Sequence, residues 1–105
     1  MPIPDITHLQ FLVLSIIGGC KKSGKEIRAS LKEQKVRKSG PSFYQLMARL
    51  EEGKLVKGWY DQKVIDGQII KERKYKLLGN GVKALNVTRE FYIENGGVIG
   101  GLANA

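Results

Sequence analysis

The stretch "KSGPSFYQLMARLEEGKL", Lys38 to Leu55, carries the signals of one helix with two unlike faces. Phe43, Leu46, Met47 and Leu50 fall at the i, i+3, i+4, i+7 spacing of a core-facing stripe. Ser42, Gln45 and Arg49 fall on the other side, together with Glu52. Pro41 suits the first turn, where its missing N–H costs nothing, and Ser39 or Gly40 is placed to cap it. Gly53 is placed to end the helix in a left-handed conformation. Periodicity alone leaves open whether the second face is merely solvated or reads a partner.

The surroundings of that helix bear on the choice. The formal net charge of +8 is unevenly distributed. Lys21 to Lys38 holds eight basic residues against Glu26 and Glu33, and Lys54 to Lys76 holds seven against Asp61, Asp66 and Glu72. The rest of the chain has three basic and five acidic residues, so the whole excess brackets the helix. Basic residues often form nothing more than a solvated face, but this placement fits a polyanion-binding surface better.

Upstream, Thr7 and Gln10 make a capping box for a first helix, with Ile6 and Phe11 at the spacing of a hydrophobic staple. Leu9 to Ile17 is apolar on nearly all sides, which suits burial in the core and against a second subunit. Gly18 and Gly19 end it. Ser23 and Glu26 make a second capping box, opening a helix that runs to about Gln34 with Ile27 and Leu31 as its apolar stripe. Downstream, the period changes to two. "LVKGWYDQKV" and "QIIKERKYKL" flank Ile65-Asp66-Gly67-Gln68, a strong hairpin signal. A two-residue turn pairs Val64 with Ile69, Tyr60 with Arg73 and Val56 with Leu77, and sets Asp61 opposite Glu72. Gly79-Asn80-Gly81 breaks the strand, and a final helix is expected from about Val82 to Glu94.

The expected order is three helices, a two-stranded wing and a C-terminal helix: a mainly α chain with a β-hairpin, of winged helix-turn-helix class. The domain is expected over residues 1–94, with 95–105, "NGGVIGGLANA", as a flexible glycine-rich tail. In helix-turn-helix domains the second helix of the pair enters the DNA major groove, and by chain order that is the helix beginning near Pro41.

Three motifs in this order resemble the PadR family of bacterial transcriptional regulators, over roughly Leu9 to Leu85. "SGKEI", Ser23 to Ile27, is similar to that family's S/H-G-Y-E-L opening of the second helix. "SFYQLMARLEEGKLV", Ser42 to Val56, is similar to its T-L-Y-x-x-L-x-R-L-E-x-x-G-L-I motif, and "RKYKLLGNG", Arg73 to Gly81, to R-K-Y-x-L-T-x-x-G. Lys25 departs from the family's tyrosine, Gly53 comes one place early, and Leu78 replaces a capping threonine. The wing tip "VIDGQII" is longer and more apolar than the family's usual tip, and the closing helix is short. The resemblance implies a homodimeric repressor that binds double-stranded DNA.

On that reading Ser42, Gln45 and Arg49 read bases, since Arg pairs bidentately with guanine and Gln with adenine. Tyr44, which matches the family's tyrosine, would donate its hydroxyl to a phosphate. Lys21, Lys22, Lys25, Arg28 and Lys38 are candidates for the phosphate backbone, with Lys35 and Arg37 beside them. Lys63, Lys71, Arg73 and Lys74 are candidates for wing contacts. Lys74 could instead lie over Trp59 across the hairpin, and Trp59 could stack a small planar effector in a dimer cleft. Leu9, Leu12, Val13, Ile16, Leu85, Phe91 and Tyr92 are the expected dimer contacts. The rival reading keeps the fold but makes it a protein-interaction module without specific DNA binding, using the apolar wing tip.

Other chemistries lack their residues. His8 is alone and is expected at the surface, and Cys20 has no second cysteine, so neither a disulfide nor a metal set can be assembled from them. Neither has a visible partner for nucleophilic catalysis, and no phosphate-binding loop occurs, so neither an enzyme nor a cofactor is expected. "FLVLSIIGG" is too short to cross a bilayer and lacks the flanks of a signal peptide. A reducing cytoplasm is the expected location, and the sequon at Asn86-Val87-Thr88 is accidental there.

Overall fold

Two helix starts are dictated by short side chains that reach back to orphan backbone N–H groups. In the computed structural model, which describes residues 6–94, Thr7 caps α1 (His8–Ile17) and Ser23 caps α2 (Gly24–Glu33). Each does so in a reciprocal capping box, with Gln10 and Glu26 returning the bond. Those bonds, the backbone one foremost, hold the Glu26 carboxyl below the usual carboxylate range. Between these helices Lys22–Ser23 forms a two-residue strand, β1.

α3 (Gly40–Glu52) starts at Ser39, whose hydroxyl accepts from the Ser42 amide 3.2 Å away, with Pro41 in the first turn. Its end differs from the expectation. Gly53 is the C-cap at an ordinary φ of −75°, and the left-handed residue is Lys54 at φ 59°. The Leu55 amide donates to the Leu50 carbonyl and the Lys54 amide to that of Glu51, a complete Schellman closure. Lys35, at φ 65°, closes α2 in the same way, with Val36 bonded back to Leu31. The early glycine of the sequence motif therefore leaves the closure geometry intact but puts a lysine in the strained position.

β2 (Val56–Ile65) and β3 (Gln68–Leu77) pair antiparallel in the expected register, Val64 with Ile69 through Val56 with Leu77. Asp66 and Gly67, at φ 51° and 79°, form the turn. The like-charged pair Asp61 and Glu72 is indeed opposed, and Lys63 and Lys74 relieve it, each within 4 Å of the Glu72 carboxylate. β1 adds to the free edge of β3, with Lys22 against Tyr75, making a three-stranded sheet in the order β1-β3-β2. So short a strand has no period to reveal it.

α4 (Gly79–Glu94) begins three residues earlier than its apolar pattern suggests, so the glycines of Gly79-Asn80-Gly81 start the helix as well as ending the strand. Gly81 is buried, and a Cβ there would run into the Leu55 carbonyl, which already accepts from the Leu78 amide. The last helix thus docks backbone-to-backbone on the joint between α3 and β2.

The core is built by Val13, Leu14 and Ile17 of α1, Ile27 and Leu31 of α2, and Phe43, Met47 and Leu50 of α3. Val56, Tyr75 and Leu85 close it. Val13 and Leu85, expected at a dimer interface, lie inside the chain's own core, because α1 is covered on one flank by α2 and on another by α4. Leu9, Leu12 and Ile16 pack only partly against it. At the far end of α1, His8 is exposed as expected, yet its Nδ1 lies 3.1 Å from the Tyr92 hydroxyl, and Phe11 meets the Tyr92 ring edge-on. Residues 95–105, expected as a tail, lie outside the described residues.

The two C-terminal closures test this account directly. Lys54→Gly relieves the left-handed strain and should stabilise the fold by about 0.5–1 kcal/mol, a few degrees in thermal melting. Gly53→Ala, at a helical φ where a Cβ would make only ordinary van der Waals contacts, should be neutral or slightly stabilising. A loss of stability in Gly53→Ala would place the left-handed residue at Gly53 instead. The lowered Glu26 carboxyl sets a pH window as well. Its contribution to the α2 cap is present above the unfolded-state value and is lost as pH falls through the lower folded one. Glu26→Gln, which keeps the capping box without a titrating group, should flatten that acid limb in melts between neutral pH and pH of about 3.

Candidate nucleic-acid interface

α3 turns its buried stripe of Phe43, Met47 and Leu50 inward, which leaves Pro41, Tyr44, Gln45, Ala48, Arg49 and Glu52 exposed. At about 100° per residue, Gln45 lies near the middle of that face, Arg49 towards one edge and Tyr44 towards the other. Ser42 is half-buried on the Arg49 side. The expected readers thus share one continuous surface. Ala48 and Pro41 belong to it too, although nothing in their chemistry singles them out; their place in the same helical period is the only signal.

Tyr44 is fixed by a close approach. Its ring stacks edge-on against Phe43 at 5.0 Å, and its hydroxyl lies so near Gly24 that a Cβ there would sit 2.8 Å away. Glycine at the first residue of α2 therefore lets the tyrosine lie across that helix, beside Lys25, Lys71 and Arg73. A shallow groove lined by Tyr44, Glu51, Tyr60, Lys71, Arg73 and Tyr75 continues from it onto the wing.

The cations divide into two sets. Arg73 bonds Glu51 of α3 at 2.7 Å, and its guanidinium lies 4.9 Å from the Tyr60 ring centre and 5.6 Å from that of Tyr75. Burial pushes the Tyr75 phenol upward, with Arg73 opposing it, so the hydroxyl is neutral at ordinary pH. Lys74 faces Trp59 in register, but its ammonium lies 3.6 Å from Glu72 and only 11% of its side chain is exposed. The cation–π pairs in the wing belong to Arg73. Arg28 donates to the Lys38 carbonyl at 3.2 Å and covers the Phe43 ring, tying α2 to the connection before α3. Arg28, Arg73 and Lys74 are therefore braces within the fold.

The second set makes no close ion pair among the described residues. Among the described residues, none of Lys21, Lys22, Lys25, Lys32, Lys35, Arg37 and Lys38 has a carboxylate within 4 Å; the three ion pairs found all use wing cations. Lys25, Lys32, Arg37 and Lys38 rim a groove of about 340 Å³ between α2 and the following connection, floored by Ala29, Leu31 and Val36. In the wing, Lys71 is exposed, and Lys63 is half-exposed while reaching Glu72 at 3.8 Å. Trp59 is half-buried and lines a separate open groove of about 540 Å³ with Gly18, Gly19, Lys21, Lys76, Leu77 and Val82.

Among the described residues no group of three or more His, Cys, Asp and Glu side chains could hold a metal ion, and no helix is long and apolar enough to cross a membrane.

Comparison with known proteins places this geometry. No family profile and no curated relative matches the chain by sequence. Solved structures match across most of it. A PadR family transcription regulator from Clostridium difficile superposes with a TM-score of 0.76 at 20% identity, covering 92% of this chain and 99% of that one. A PadR family transcriptional regulator from Eggerthella lenta gives 0.67 at 25% identity, covering 90% and 80%. Bacillus subtilis PadR in complex with operator DNA gives 0.64 at 19% identity, covering 76% of this chain and 45% of that one. The fold is the PadR winged-helix fold: four helices and a small antiparallel sheet.

The brace between α3 and the wing has a measurable consequence. Glu51→Gln leaves the Arg73 guanidinium half-buried without its counter-charge and should cost about 1–2 kcal/mol in denaturant unfolding. Lys71→Ala, which removes an unpaired exposed cation, should change stability by less than about 0.5 kcal/mol.

Proposed function

We propose that this chain binds double-stranded DNA sequence-specifically and acts as a homodimeric transcriptional repressor of PadR type. The observation that carries the reading is the exposed face of α3, where Gln45 and Arg49 stand free beside a block of cations that makes no close ion pair among the described residues. Gln45 and Arg49 read base edges, Ser42 works at the margin, and Tyr44, held over Gly24, donates to a phosphate. Lys21, Lys22, Lys25 and Lys38 neutralise the backbone, and Lys32 and Arg37 extend that track. Of the candidate wing cations, Lys71 and Lys63 are left to reach DNA. The likeness to a PadR solved with operator DNA supports this assignment.

A single module of this size buries too little DNA for high specificity, and a two-fold dimer doubles the contacts. Leu9, Leu12, Ile16, Phe91 and Tyr92, half-buried on α1 and α4, form the self-association surface, with Ile93 exposed beside them. Trp59, with its open groove, is the place for a small planar effector. The cytoplasm is the compartment in which such a regulator works. The second reading, a protein-interaction module, draws on one specific observation: the exposed aliphatic tip of the wing.

Selection of duplexes from random sequence with this chain, at a stated salt concentration, tests the proposal. Log affinity for the selected duplex should fall linearly with log salt, as counter-ion release requires. Arg49→Ala should relax preference at one base position by about 1–3 kcal/mol, whereas Lys25→Ala should weaken all sequences alike and reduce the salt slope by about one. Absence of duplex binding at low salt would favour the interaction-module reading. Sedimentation of the free protein at micromolar concentration reads the dimer.

A further inference from the structure

The wing ends in a cluster of aliphatic side chains that no part of the described chain covers. Val64 is 73% exposed and Ile69 67%, with Ile65 at 48% and Ile70 at 37%. They surround the tight Asp66-Gly67 turn at the end of a two-stranded ribbon whose strands are each ten residues long, about 33 Å. An exposed apolar cluster on a projecting tip is a surface kept for a partner.

The register says which way the tip faces. Val64 pairs with Ile69, Gln62 with Lys71 and Tyr60 with Arg73, and directly opposed residues share a face of the sheet. Arg73 on that face meets Glu51 of α3. The Val64–Ile69 pair therefore lies on the same side of the ribbon as the recognition helix, with exposed Tyr60 and Lys71 between them. The occupant is indicated by charge. From Lys57 to Lys76 the hairpin carries six basic and three acidic residues, and one of those acids, Glu72, already holds two lysines. A ribbon with a cationic shaft and an aliphatic end fits a groove with anionic walls and stacked apolar bases inside.

We infer that the wing tip is an apolar wedge, with Val64 and Ile69 pressing into the minor groove next to the major groove that holds α3, so that the duplex bends at a pliable base step. The inference rests on the DNA-binding reading above. Aliphatic groups cannot read the acceptors on the groove floor; they act by prying at stacked bases, and bend the duplex away from themselves. The selectivity they add is therefore for deformability, favouring TA or CA steps over stiff A-tracts at a position no polar group contacts. Asp66, at the apex, is the acidic group that would come nearest such walls and oppose them. It is there for the turn, because it adopts φ 51° more cheaply than most residues.

The test uses the full chain and a selected duplex labelled at both ends for energy transfer. Wild-type protein should shorten the end-to-end distance. Val64→Thr/Ile69→Thr keeps the β-branched shape on an exposed tip, and melting confirms that it folds. It should bind about tenfold more weakly and leave the duplex straight, with the base preferences set by α3 unchanged. Asp66→Asn, which keeps the turn and removes the charge, should tighten binding at low salt. Equal bending by wild type and the double variant, or no bending by either, overturns the wedge while leaving DNA binding in place. So does a double variant that alters only the sedimentation of the free protein, which would assign the tip to a second copy of the chain. A wild-type protein that ignores duplex DNA altogether overturns the underlying reading along with it.

Discussion

The guanidinium of Arg73 joins the two halves of this molecule. It bonds Glu51 on α3 and lies against Tyr60 and Tyr75 on the sheet, so one cation fastens α3 to the wing. The fit needs a glycine opposite, since a Cβ at Gly58 would collide with the Glu51 carboxylate and the Arg73 guanidinium. Three separate parts of the chain, at Glu51, Gly58 and Arg73, thus answer to one contact. The charge of Arg73 is consumed by this work. A hairpin of two strands is marginal by itself in water, and a wing held only by its turn would sample many angles relative to α3. The brace makes that angle a property of the fold, which any simultaneous contact by helix and wing requires.

Legibility from the sequence followed the range of the interaction. The capping boxes at Thr7 and Ser23, the α3 stripe and the register of the hairpin all depend on residues within a few places of one another, and they are found as read, except that Leu46 is only partly buried. What could not be read depends on partners far along the chain. Nothing local distinguishes Arg73 and Arg28, which brace, from Lys71, Lys25 and Lys38, which keep free ammonium groups; the difference is Glu51 and the Lys38 carbonyl. Val13 and Leu85 look like their neighbours on apolar helices until α2 and the sheet are packed around them. Lys54 takes the left-handed position because the chain must turn to bring Leu55 under Leu78, and that demand outweighs the preference for glycine.

The partition of charge has consequences for recognition. On the wing Lys63, Arg73 and Lys74 reach carboxylates, whereas among the described residues no cation from Lys21 to Lys38 has one within 4 Å. Unpaired surface lysines repel one another and cost some stability, and in a chain of +8 that cost is relieved when a polyanion arrives. On the proposed DNA-binding reading, the α2 flank would supply the long-range attraction and most of the salt dependence, and α3 the discrimination at short range.

The wing tip completes this division, because an aliphatic surface contributes nothing at a distance and acts only on contact. Its value depends on arriving at the right place, and two features of the fold determine that place. The Asp66-Gly67 turn fixes which side chains share a face, and the Arg73 brace fixes where that face points. A tip so positioned favours whatever surface yields to it. If the proposed wedge presses on duplex DNA, that surface is a step that unstacks easily beside the site of α3, and part of the specificity would then come from the stiffness of base pairs that no polar side chain contacts.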